Sequence, residues 1–227
     1  KETGEFDSVY GIKSKDSLVK MNDKDNVLIT KKLTPQEFYH RYSSLNLDDF
    51  VSVGSMKMYN KEYYKIYQKQ YDRNILATST VKFLNLPLTE FKNLIVSELK
   101  DGIPVWFGAE VKKMRNQENG ILDMNSYNYE EVFNYERLTQ EENLNLHAIT
   151  LAHAMSFVGV HIVDDKIIRW KVENSWGDKD NKGYFIMNDN YFDEFVMNAV
   201  VKKEYLTSKQ LEMLEQVPIN MNPNDPF

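Results

Sequence analysis

The chain of 227 residues has no cysteine. That absence excludes disulfides, cysteine–zinc sites and iron–sulfur clusters, and a reducing cytoplasm is the compartment that fits. Glycine and proline are scarce, 9 and 6 residues, while aromatics reach 13%, so the composition is neither disordered nor fibrous. Nowhere do about 18 apolar residues run together, and the first thirty residues are too polar for a signal peptide, so no membrane span is expected. No Asn-x-Ser/Thr sequon occurs. Positive charge is the minority, 28 basic against 34 acidic side chains, net −6, which makes nucleic acid a poor default partner. An initiator Met is also missing: the chain opens Lys1-Glu2-Thr3-Gly4, as a processed, cleaved or partial polypeptide would.

What is present can bury a sizeable core, in one large domain or two small ones. Residues 1–32, rich in Lys, Asp and Asn, read as loop with short strand-like pieces such as Val27-Leu28-Ile29. Thr34-Pro35-Gln36-Glu37 is a capping box with proline at the first helical position, predicting a helix to about Ser44. The tyrosines Tyr59, Tyr63, Tyr64, Tyr67 and Tyr71 alternate with lysines, a pattern that fits a helix–core or subunit contact better than base stacking. A second helix is expected over about 90–100, with Thr89 as cap, stopped by Gly102 and Pro104. Val105–Ala109 reads as a buried strand, Arg115–Asn128 as a surface loop, and Thr139 with Glu142 as a second capping box.

The most informative stretch is a pair of strand-like runs, 154–163 and 167–174, separated by Asp164-Asp165-Lys166. They should form an antiparallel hairpin. Partners in such a hairpin have residue numbers with a constant sum, here 327 to 329 for a turn centred on the two aspartates. At 327 His153 faces Asn174, Met155 faces Val172, Phe157 faces Trp170 and Gly159 faces Ile168; at 329 His153 and Asn174 are diagonal neighbours on one face. An even sum would put them on opposite faces. An Asn oxygen beside an imidazole can fix its orientation and tautomer, leaving the other ring nitrogen for a nucleophile. Trp176, in Asn174-Ser175-Trp176-Gly177, is large enough to cover that hydrogen bond, and Gly177 permits a sharp exit. By spacing alone, a polar pair that merely closes a hairpin is the favoured reading.

At these residues the sequence resembles the papain-like cysteine peptidases, and more specifically their bleomycin hydrolase and aminopeptidase C branch. The resemblance rests on His153-Ala154-Met155, the run Arg169–Gly177, Gly183-Tyr184-Phe185, Leu33–Phe38, Leu84-Asn85-Leu86-Pro87, Val105–Gly108 and Leu214–Ile219, and covers the chain from about residue 33. It implies an α+β papain-like fold in its C-terminal half, with a twisted antiparallel sheet from runs 105–109, 154–163, 167–174 and 183–187. Residues 1–75 would be a helical, hook-like assembly region and 76–227 the β-rich domain. It implies a cytoplasmic cysteine aminopeptidase acting on peptides with a free N-terminus, usually a hexamer, with His153 as general base and acid, Asn174 as its orienting partner and Trp176 as shield. The nucleophilic Cys would lie in an N-terminal half outside this chain, so the chain alone should be inactive. Asp225-Pro226-Phe227 looks like the start of the family's C-terminal arm, and Ala109 stands where relatives carry a Cys. The alternative is a catalytically dead papain-like module kept for binding or assembly.

Competing signals are weak. His147, His153 and His161 have no metal-ligand spacing, Ser175 lacks a nucleophile elbow, and Asp48-Asp49 and Asp164-Asp165 read as cap and turn residues. His40 and His161 read as surface or strand positions. No cofactor is expected, since thiol–imidazole acyl transfer needs none.

Overall fold

The computed structural model describes residues 6–7, 32–43, 45–69, 80–116, 118–177 and 182–225. Val27-Leu28-Ile29, Ser44, Tyr71, Pro226 and Phe227 lie outside them. The chain forms two compact units, 1–47 and 48–227. In the first, β1 (Phe6–Asp7) pairs with β2 (Lys32–Leu33), and α1 (Pro35–Tyr42) follows the expected capping box: the Thr34 hydroxyl accepts from the Glu37 amide and the Glu37 carboxylate accepts from the Thr34 amide at 2.7 Å.

The second unit is organised by one sheet of 11 strands. In chain order it contains β3 (Phe50–Gly54), β4 (Lys65–Lys69), β5 (Lys82–Asn85), α2 (Leu88–Lys100), β6 (Val105–Ala109), β7 (Arg115–Asn116), β8 (Ile121–Leu122), α3 (Tyr129–Phe133), α4 (Gln140–Asn145), β9 (His153–Val163), β10 (Lys166–Glu173), β11 (Tyr184–Asn188), α5 (Asp189–Phe195), β12 (Val196–Lys202), α6 (Ser208–Met213) and β13 (Ile219–Met221). Spatially the strands run β13-β4-β5-β3-β12-β6-β9-β10-β11-β8-β7. The four runs expected to form a sheet are adjacent in it, as β6-β9-β10-β11.

Three local readings change. Helix α2 begins at Leu88 with Pro87 in the cap position and no side-chain cap, so Thr89 lies in the first turn; proline at the entry fixes the backbone without needing a hydroxyl. Its C-terminus behaves as expected: Gly102 takes φ +76°, and the Ile103 amide reaches the Glu98 carbonyl. The 115–128 segment is not all loop, since β7 and β8 extend the sheet, β8 running parallel to β11. Within the tyrosine-rich segment, 65–69 is strand rather than helix: Tyr67 is buried in β4 with its ring stacked on Phe83, and Tyr59 is exposed.

The core is aromatic where the sheet meets α2 and α5. Phe157 lies against Phe107 with ring centroids 3.7 Å apart, and Trp170 stacks on Phe192 at 4.7 Å. The Trp170 indole N–H donates to Asp189, which also takes Lys92 at 2.8 Å, so the one polar atom of the buried ring is satisfied. Asn85, fully buried, accepts from the Met56 amide and donates to the Met56 and Glu62 carbonyls, tying the 54–64 connection to β5.

Glu98 is an exception to this economy. It has no solvent exposure, accepts one backbone N–H from Lys202, and its Oε1 has no hydrogen-bond partner among the described residues. Burial raises its pKa from 4.5 to about 7. Its folded value lies above the ordinary one, so its favourable contribution is complete below about pH 4.5 and is lost as pH rises through about 7. Glu98→Gln should therefore be more stable than the parent at pH 8, by about 1–2 kcal/mol with screening allowed for. The gain should vanish near pH 4.5; equal urea midpoints at pH 8 would refute the account.

Candidate active site

The hairpin is closed by a two-residue turn in which Asp164 and Asp165 take φ +48° and +60°. Positive φ at both central positions is what a type I′ turn requires, and aspartate tolerates it. Val163 therefore sits opposite Lys166, and the partner numbers sum to 329. They shift to 330 from His161/Arg169 through Gly159/Lys171, then return to 329 at Phe157/Val172 and Ser156/Glu173. The second irregularity cancels the first. Without it the even register would persist and place His153 and Asn174 on opposite faces. The direct pairings of the 327 register are not formed: Val172 faces Phe157 and Trp170 faces Val160, because the tight turn closes one pair earlier. His153 and Asn174 are the diagonal neighbours of the 329 register.

Their side chains meet, His153 Nε2 lying 2.8 Å from Asn174 Oδ1. The backbone amide of Ser175 donates to the same atom at 2.8 Å. An amide N–H can only donate, so that atom is the oxygen, and it must accept from His153 as well. The neutral imidazole thus carries its proton on Nε2 and leaves the Nδ1 lone pair free. Asn174 is itself held, 9% exposed and with its backbone N–H donating to the Gly183 carbonyl at 2.8 Å.

Trp176 packs on the imidazole, ring centroids 4.8 Å apart, and stands edge-on to Phe185 at 5.9 Å. Gly177 turns the chain away at φ +70°. Gly183, at φ +86°, returns it; a Cβ there would lie 2.8 Å from the Gly177 carbonyl oxygen, so Gly183 requires glycine for space while Gly177 uses it for its left-handed backbone. On the other side of β9, Ala109 of β6 is the strand partner of His153 and is fully buried.

A fourth side chain at the site leaves no signal in the sequence. Arg115, in the segment read as loop, lays its guanidinium 5.1 Å over the Trp176 ring and 5.8 Å over Phe185. No local pattern marks such a contact, since it joins β7 to the loop after β10 through the sheet edge. His161 is exposed and accepts from Arg169, and His147 is exposed at φ +54°. Neither joins His153, and among the described residues no group of three or more His, Asp or Glu is placed to hold a metal. Among them, too, no helix is long and apolar enough to cross a membrane.

The arrangement supplies an oriented base with one accessible nitrogen, covered on one face by an aromatic ring. The chain has no cysteine to set beside it. Comparison with known proteins gives this hairpin a context. The model of the Peptidase C1-like family matches residues 11–227. Aminopeptidase C of Lactobacillus delbrueckii subsp. lactis is 38% identical over 211 residues, 91% of this chain and 47% of that protein. Aminopeptidase G of the same organism is 38% identical over 206 residues, 90% of this chain and 47% of that protein. The crystal structure of PepW from Lactobacillus rhamnosis superposes with a TM-score of 0.87 at 35% identity, covering 99% of this chain and 49% of that one. The chain spans about half the length of the curated relatives it matches. With the sheet order, the hairpin and these matches in agreement, the chain belongs to the Peptidase C1-like family, in its bleomycin hydrolase and aminopeptidase C branch, and has its papain-like α+β fold.

Proposed function

We propose that this chain is the His/Asn-bearing part of a cysteine-type aminopeptidase that removes N-terminal residues from peptides. The nucleophilic Cys comes from an N-terminal half of the same protein, outside these 227 residues. The observation that carries the reading is the Nε2–H···Oδ1 bond with its oxygen fixed by Ser175. In the mechanism, His153 Nδ1 takes the thiol proton, and the thiolate attacks the carbonyl carbon of the first peptide bond. The resulting imidazolium then gives that proton to the leaving amine as the C–N bond breaks. Water, deprotonated by the same nitrogen, opens the thioester and releases the amino acid. Asn174 holds the ring through both steps and Trp176 keeps water from the hydrogen bond that orients it. No cofactor takes part.

Relatives named as aminopeptidases, each matched over about half its length, support this division of labour. The proposal extends to a cytoplasmic protein, to homo-oligomeric assembly as a hexamer, and to residues before about 75 as the region serving that assembly. The discriminating test is intact-mass spectrometry under denaturing conditions with a thiol-alkylation count on every polypeptide of the purified protein. A companion or longer chain bearing one rapidly alkylated Cys is expected, together with release of N-terminal residues from peptides. A preparation holding only the 26.8 kDa chain, without a thiol, should hydrolyse nothing. A complete protein that keeps its Cys yet releases no N-terminal residue would overturn the reading in favour of a binding module.

A further inference from the structure

Beside Arg115, whose guanidinium lies over Trp176, the chain has a cavity of about 530 Å³ whose wall contains Lys112, Lys113, Arg115 and Arg137 and not one carboxylate. On a chain of net charge −6 that concentration of cations is against the trend of the surface. Two of the four are spoken for: Lys113 Nζ donates to the Ala148 carbonyl, and Arg137 pairs with Glu130. Lys112 and Arg115 have no ion-pair partner among the described residues. The carboxylate near Lys112, Glu110, is buried and accepts from its backbone amide. Tyr127 and Tyr135 line the same cavity, both partly exposed, and the Tyr127 hydroxyl donates to the Arg115 carbonyl, fixing the backbone beneath the guanidinium.

Arg115 connects this cavity to the reaction centre. Its guanidinium lies over the Trp176 ring, which packs on the His153 imidazole. A cation–π contact holds the cation without consuming its N–H donors, which remain available for a planar, bidentate acceptor. A cationic wall beside a peptide-bond-cleaving centre attracts one end of a peptide and repels the other. In an aminopeptidase the residue on the acyl side carries the free ammonium, which such a wall would push away. The leaving part carries the carboxylates.

We propose that this cavity, through Arg115 with Lys112, binds a carboxylate on the leaving part of the peptide: the α-carboxylate when the peptide is short, or an acidic side chain when it is longer. The inference rests on the aminopeptidase reading. It makes Arg115 a specificity-determining residue, one that ranks substrates by the charge of what departs.

The test uses the complete, Cys-containing protein and two matched substrate pairs. A dipeptide against its C-terminal amide varies the α-carboxylate; longer C-terminally amidated peptides with Glu or Gln as the first leaving residue vary the side chain. In the parent the anionic member of at least one pair should have a kcat/KM about 10-fold higher, as one desolvated charge-assisted contact allows. The ratio should fall to near 1 in Arg115→Gln and invert in Arg115→Glu, with Lys112→Gln giving a smaller drop. Which pair responds identifies the source of the carboxylate. A purely structural Arg115 would instead slow the charged and neutral substrates equally, and unchanged ratios in both variants would overturn the inference. A second readout needs no catalysis: calorimetric binding of the leaving-side dipeptide Gly-Glu against Gly-Gln amide. If nothing is cleaved but Gly-Glu binds preferentially and Arg115→Gln abolishes the preference, the anion site stands and the aminopeptidase reading falls. If neither assay shows a preference in the parent, the inference itself is wrong.

Discussion

His153→Ala in the complete protein should lower kcat by about 10³–10⁴-fold with KM little changed, the pattern of a group that acts on the transition state rather than on substrate binding. The size follows from the geometry. Nδ1 is the one imidazole nitrogen left free by Asn174, and nothing else within the described part of the site offers a base in that position. Losing it removes both the acceptor of the thiol proton and the donor to the leaving amine. Alkylation of the Cys should slow in parallel at neutral pH, because a thiol without an imidazole partner reverts toward its ordinary ionisation. Asn174→Ala should cost less, about 10–100-fold, since the ring keeps its packing against Trp176 at 4.8 Å and loses only the bond that selects its tautomer. A His153→Ala protein that turns over peptides at the parental rate, with an unchanged melting curve, would remove His153 from the chemistry.

How far the sequence anticipates this site depends on which interactions are local. The capping boxes at Thr34/Glu37 and Thr139/Glu142 are legible because each is contained within four residues. The hairpin is legible because a two-residue turn fixes register, and register is what decides whether His153 and Asn174 share a face. The pair of compensating irregularities in the middle of β9 and β10 leaves no trace in the pattern, and a reader counting pairs along that stretch alone would separate the two residues. Strand β12 is hidden for a different reason. It follows α5 with no intervening turn residue and is buried along nearly all its length, so it shows neither alternation nor punctuation. Strand β4 was masked by tyrosines at intervals that mimic a helix face. Arg115 is the least legible of all, because its role comes from a ring 61 positions later in the chain, brought near it by the sheet edge.

The other large effect concerns the end of the described chain rather than the chemistry. Lys61 and Asp225 form an ion pair whose side chains are each 1% exposed, and Lys61 Nζ also lies 3.2 Å from the Met58 sulfur. The pair joins residues 164 positions apart, fastening the segment after β13 to the connection between β3 and β4. Burial holds the Lys61 ammonium below its ordinary pKa even though the carboxylate pulls the other way, so desolvation outweighs the attraction. That balance sets the outcome of substitution. Asp225→Ala leaves a buried cation beside a thioether and should cost about 3–5 kcal/mol, whereas Lys61→Met takes the cation from a carboxylate that keeps a further interaction and should cost less. The double variant Lys61→Met/Asp225→Leu removes both charges from the same dry space and should recover most or all of the loss. Urea unfolding of the two single variants and the double variant forms a complete cycle. Its expected signature is strong non-additivity, with protease cleavage after Met221 appearing in the single variants and disappearing in the double. Additive losses would mean that the two side chains are solvated independently, and that the C-terminal segment is held by something other than this pair.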